Sequence, residues 1–175
     1  MNVIEKVNET ELIGRDFLVW LWFRSETGDG IVDLGDDGQT EIRLGGKMTL
    51  ESDMDEAMES VTCSGDHPLL KEARYALTKN KKITKAAIKL IIGDDEYSFT
   101  LDARWMNYRS FKTPKVVQDD KEDPEGLFYE KAGLMEKAIT TMDTIFIYFI
   151  KLRLSPDWED KELPALIRWV NKGKK

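Results

Sequence analysis

The sequence predicts an α+β fold, a mainly antiparallel sheet packed against an N-terminal helix and a long C-terminal helix. Three observations predict it. Apolar residues recur at three- and four-residue spacing near both ends of the chain. Between them lie two strand–turn–strand patterns built on Gly and Asp, the local signature of hairpins. The order reads helix, strands, helix, strands, two helices, rather than the regular alternation of a parallel sheet. A chain of 175 residues with 41% apolar content predicts one domain over residues 1–175.

The first helix is expected over residues 9–26, with Thr10 as its cap. Leu12, Ile13, Phe17, Trp20, Leu21 and Phe23 form its apolar stripe, and Leu18, Val19 and Trp22 widen it. Such a helix is buried on more than one side or packs on a partner. Residues 31–34 and 40–44 flank Gly35-Asp36-Asp37-Gly38 as a first hairpin. Gly45-Gly46 reads as a second reversal into residues 47–50. Val61, Thr62 and Cys63 tilt residues 57–64 to strand. Pro68 suits the first position of a helix capped by Asp66 or His67, with Leu69, Leu70, Ala73, Ala76 and Leu77 facing inward.

Residues 83–92 and 97–103 flank Gly93-Asp94-Asp95-Glu96 as another hairpin, in which Ala86, Ile88, Leu90 and Ile92 share one side. Residues 105–111 read as a further strand. The polar tract 118–126, with Pro124, predicts a mobile acidic loop. Residues 127–154 then form the long helix, with Leu134, Met135, Ala138, Met142, Ile145, Phe146, Phe149 and Leu152 inward. Ser155-Pro156 ends it, and residues 158–170 make a last helix.

Composition excludes several classes. A lone cysteine, Cys63, excludes a disulfide framework. A lone histidine, His67, excludes a His-rich metal centre. The pair Cys63 and His67 lacks a third orienting group, so a nucleophile–base pair is not indicated. Asp36-Asp37, Asp94-Asp95 and Asp119-Asp120 are carboxylate pairs of a kind that binds metal. Each falls in an expected turn, where Asp bonds its own backbone. The glycines match neither a phosphate loop nor a dinucleotide fingerprint. No catalytic residue, metal site or cofactor is therefore expected. The N-terminus lacks the pattern of a secretory signal, and the longest apolar run is six residues, 145–150. A cytoplasmic protein without a membrane segment is expected.

The net charge of −7 argues against a polyanion partner, but its distribution is uneven. Residues 1–70 carry −11, residues 71–115 carry +6 and residues 116–175 carry −2. The cationic middle holds Lys79, Lys81, Lys82, Lys85 and Lys89, then Arg104, Arg109, Lys112 and Lys115. Such side chains neutralise phosphates. Trp105 and Tyr108 interleave with the second group, and aromatics beside Arg can stack on bases. The bland alternative is a solvated face paired with the acidic first third.

Three blocks carry a resemblance. They are Gly14-Arg15-Asp16-Phe17-Leu18-Val19-Trp20-Leu21-Trp22-Phe23-Arg24-Ser25, Cys63-Ser64-Gly65-Asp66-His67-Pro68-Leu69-Leu70-Lys71-Glu72-Ala73, and Arg153-Leu154-Ser155-Pro156-Asp157-Trp158 through Leu163-Pro164 to Trp169. Together they resemble the C-terminal portion of divergent bacterial proteins of the recombination-associated RdgC family. The resemblance implies an α+β protein that dimerises around duplex DNA with little sequence preference. Some classifications label that family an exonuclease, and no carboxylate cluster here supports that label.

The expectation is thus a non-catalytic, sequence-nonspecific DNA-binding protein associated with recombination, nucleoid-located when bound. Its contacts would be Lys79, Lys81, Lys82, Lys85, Arg104, Arg109 and Lys112. The alternative is an acidic interaction module or inhibitor, a DNA mimic, reaching a protein partner through the aromatic first helix. Trp22, Trp158 and Trp169 look exposed, which also suggests a homodimer.

Overall fold

The computed structural model describes residues 3–28, 30–33, 39–52, 60–65, 69–116 and 123–172. Helix α1 spans Val3–Thr27. Strands β1 (Ile31–Asp33), β2 (Gln39–Ser52) and β3 (Ser60–Gly65) follow. Helix α2 (Leu69–Thr78) leads into β4 (Lys81–Ile92), β5 (Asp95–Asp102) and β6 (Asn107–Lys112). Helix α3 spans Pro124–Arg153, and a π-helical turn at Trp158–Glu162 runs into α4 (Leu163–Asn171). The predicted α+β class is what forms. The sheet is antiparallel throughout, in the order β1-β2-β4-β5-β6, with β3 also on β2.

Helix α1 begins at Val3, so Thr10 lies inside it rather than capping it. From Phe17 to Phe23 every side chain except the partly buried Val19 is buried. A helix apolar all round must be covered all round. One side rests on β4 and β2. The other meets the C-terminal helices: Phe17 lies 5.0 Å from Phe146 and 5.4 Å from Phe149, and Trp22 lies 4.9 Å from Trp169. Trp22, Trp158 and Trp169 are all buried, contrary to the expectation. The aromatic segment of α1 is spent inside the chain, which removes the surface assigned to a protein partner and the tryptophan argument for a homodimer.

Gly45-Gly46 makes no reversal. Strand β2 runs straight through, and the register against β4 jumps from Leu44↔Ile88 to Met48↔Ala86. Three residues on β2 oppose one on β4, which is a bulge. Gly46 carries it at φ 75°. The β4–β5 hairpin turns on two residues only. Ile92 pairs with Asp95, and Gly93 sits first in the loop at φ 63°, as a II′ turn requires. Strand β6 starts at Asn107, so Trp105 lies in the preceding turn, 67% exposed.

The tract expected as a loop ends early. Pro124, Glu125 and Gly126 belong to α3, whose cap is Asp123 accepting from the Gly126 amide at 2.9 Å. Within α3, Ala138, Met142, Ile145 and Phe149 face the core, while Met135 is exposed, a correction to the inward set. Residues 34–38, 53–59, 66–68 and 117–122 lie outside the described set, and with them Asp36-Asp37, Asp119-Asp120, the expected cap at Asp66 or His67, and Pro68. Among the described residues no helix is long and apolar enough to cross a membrane.

Tyr108 faces the core, edge-on to Phe99 at 5.2 Å. It is not a base-stacking platform, and that expectation is corrected. Burial, then the Asp143 carboxylate, pushes its phenol up to about 12. Burial also raises Tyr97. The unfolded chain releases a tyrosine proton near pH 10 while the native state holds it to higher pH. The native state therefore binds more protons in that window, and stability is lost as pH rises. Denaturant titrations should show a decline that begins above about pH 8.5, where the unfolded chain also releases the Cys63 proton that the native state holds, and a further loss of roughly 2 kcal/mol by pH 12 from Tyr108. Tyr108→Phe should flatten part of that decline, leaving the shares due to Cys63 and Tyr97.

Candidate polyanion-binding face

Residues directly opposite in an antiparallel pair point to the same face. Away from the bulges and the strand ends the register therefore sorts the sheet by face. Ile42, Leu44, Met48, Leu50, Ala86, Ile88, Leu90, Tyr97, Phe99 and Leu101 face the helices and are buried. The opposite face runs in rows. Thr62, Thr49, Lys85 and Asp102 form one, and Ala87, Thr100 and Arg109 the next. Arg43, Lys89, Ser98 and Lys112 form a third, and Ile31, Glu41, Ile91 and Glu96 a fourth. On this face Arg43, Thr62, Glu96, Arg109 and Lys112 are exposed, and Lys85, Lys89, Ser98 and Thr100 are half-buried.

Arg43, Lys85, Lys89, Arg109 and Lys112 thus share one open surface with the carboxylates Glu41, Glu96 and Asp102. Strand spacing of about 4.8 Å and a two-residue step of about 6.8 Å put those cations within a patch roughly 14 Å on a side. Asp102 is buried and organises the patch. It pairs with Lys85 at 3.4 Å and Arg109 at 3.7 Å, and accepts from the Arg104 amide at 3.2 Å. The Arg109 side chain stays 56% exposed despite that contact. Lys89 pairs with Glu96 at 2.7 Å, and Arg43 pairs with Glu41. Exposed pairs of this kind contribute about 0–1 kcal/mol, so a phosphate can compete for the cation.

The seven cations expected to act together are divided by the fold. Lys85, Arg109 and Lys112 lie on the open face. Lys79, just before β4, and Lys81 and Lys82, at its start, line a cavity on the helix side. Arg104 pairs with Glu51, a tie between β2 and the β5–β6 turn. Lys82 pairs with Asp16 at 3.2 Å and Arg74 pairs with Glu26. Such links to the acidic first third show that the bland alternative holds for part of the set. Sequence reasoning missed Arg43, because it counted charge by window and Arg43 sits in the acidic window. Only the β2–β4 register, Arg43↔Lys89, places it there.

The chemistry of the remaining candidates is structural. Cys63 is buried beneath α2, and burial, then Glu72, pushes its thiol up, which keeps it protonated and unreactive. Its expected companion His67 is outside the described residues. Asp95 accepts from Lys137 at 2.7 Å and from the Tyr97 hydroxyl at 3.4 Å, joining α3 to the sheet. Among the described residues no group of three His, Cys, Asp or Glu side chains is placed to hold a metal ion. Comparison with protein-family models, curated proteins and solved structures finds no match to this chain.

Proposed function

We propose that this protein is a non-catalytic DNA-binding protein that contacts the phosphate backbone, without sequence preference, through its open sheet face. The observation that carries the reading is the face that holds Arg43, Lys85, Lys89, Arg109 and Lys112 on three strands. Cations on a rigid sheet meet phosphates at little entropic cost, and they read charge rather than base identity. Trp105, exposed in the turn between β5 and β6, supplies an aromatic surface for an unpaired base. The overall charge of −7 opposes a polyanion at long range, so the reading rests on the local excess of cations on this face. The association with recombination rests on the three sequence blocks alone.

Fluorescence anisotropy with a labelled, mixed-sequence oligonucleotide of about 20 nucleotides tests the reading. Arg109→Glu with Lys112→Glu should weaken binding at least about tenfold at low salt. Lys131→Glu, on the exposed surface of α3, should change it less than about twofold. Binding that is absent at low salt, or equal in the two variants, overturns the reading.

A further inference from the structure

A cavity of about 680 Å³ opens on the helix side of the molecule, between α1, α2 and α4 and beside the start of β4. That size lies within the range of small-molecule sites. Its lining combines two kinds of side chain. Leu77, Trp158, Leu163, Leu166 and Val170 give an apolar interior. Leu163, Leu166 and Val170 recur at helical spacing on one face of α4, and all three are only partly buried. Lys79, Lys81, Lys82 and Arg153 bring four positive charges to the same cavity, against the single carboxylate of Asp16.

These cations are positioned rather than scattered. Asn80, at φ 60°, turns α2 directly into β4 and sets Lys79 and Lys81 on either side of it. Asp16 holds Arg153 at 2.9 Å and Lys82 at 3.2 Å, so one acid fixes two cations. The Arg153 guanidinium also lies 5.3 Å from the Trp158 ring centroid. The cavity thus offers cations and an apolar surface together. Its remaining polar lining is Ser52 and Asn80, so positive charge outweighs neutral hydrogen-bonding groups.

We propose that this cavity binds an amphipathic anion, an alkyl or acyl chain headed by a carboxylate or a phosphate monoester. The chain lies against Leu77, Leu163, Leu166 and Val170, and the headgroup meets Lys79, Lys81 and Arg153. This site is separate from the sheet face, which carries none of these residues, so either reading can fail alone.

Calorimetric titration of the full chain with dodecanoate, dodecyl phosphate and dodecanol tests it. Dodecanoate or dodecyl phosphate should bind one to one with a dissociation constant on the order of 10–100 µM. Whichever of the two binds tighter identifies the headgroup. Dodecanol should bind at least about tenfold more weakly, because it leaves the cations unmatched. Leu166→Trp fills the cavity and should abolish binding. Lys79→Glu with Lys81→Glu should weaken the anions about tenfold and dodecanol less than twofold. Methyl NMR of the unaltered chain gives a readout that needs no variant. Added dodecanoate should shift Leu77, Leu163, Leu166 and Val170 methyls and leave Leu44 and Leu50 in place. No saturable binding up to about 1 mM, equal affinity for dodecanol, or shifts confined to other methyls overturns the proposal.

Discussion

Replacing Trp20 by Ala should lower stability by about 3–5 kcal/mol, enough to unfold a marginal domain at 37 °C. Trp20 is fully buried, and its indole meets Phe149 at 5.3 Å and Phe17 at 6.2 Å. Its ring nitrogen donates to Glu162 at 2.8 Å, tying α1 to the turn before α4. Truncation removes the apolar area, leaves a cavity between two rigid layers, and strips Glu162 of a donor. Arg24 reaches the same carboxylate at 3.6 Å, which cushions the last effect. The transition should fall by on the order of 10 °C in a thermal melt. Trp20→Phe keeps the packing and loses the hydrogen bond, so it should cost only about 1–2 kcal/mol. Equal effects of the two substitutions would mean that packing contributes little at this position.

Gly14→Ala should destabilise by about 1–3 kcal/mol, although the same change in an exposed helix stabilises by about 1 kcal/mol. The reason is contact. A Cβ on Gly14 would sit 2.2 Å from the Ala103 carbonyl oxygen, which is backbone and cannot swing aside. Helix α1 approaches the end of β5 that closely only because residue 14 has no side chain. Gly133 in α3 is the matched control, since nothing lies within 4 Å of its added Cβ. Gly133→Ala should therefore stabilise by roughly 0.5–1 kcal/mol. Denaturant midpoints of the pair should move in opposite directions. Both moving upward would show that α1 does not dock on β5 as described.

Much of the fold was legible because local pattern and tertiary placement agree. The alternation Ala86, Ile88, Leu90 declares a strand with one buried side, and the structure buries that side. The failures occur where two local readings compete. Gly45-Gly46 reads as a reversal by composition, and only the pairing of Leu44 and Met48 with β4 shows a bulge inside one long strand. The wide apolar surface of α1 fits either a partner or a second layer of the same chain. Residues more than a hundred positions away, Phe146, Phe149 and Trp169, decide for the second.

The candidate site was half legible for a related reason. A run of lysines states charge but not face. Lys85 and Lys89 lie four apart on a strand and share the open side, whereas Lys79 precedes β4 and lines the cavity. Arg43, 46 positions before Lys89, joins it only through the β2–β4 register. Cross-strand pairing of this kind leaves no trace in a charge count along the chain.

The central claim is that the open sheet face neutralises phosphates, and the salt dependence of DNA affinity tests it most directly. Release of counterions makes the logarithm of the binding constant fall linearly with the logarithm of salt concentration, by about 0.7 per phosphate neutralised on a single strand. With three to five of the face's cations engaged, the account predicts a slope between about −2 and −3.5. Each cation removed from Lys85, Arg109 or Lys112 by substitution to Gln should bring the slope nearer zero by about 0.7. A slope near zero, or one that these substitutions leave unchanged, would contradict the account.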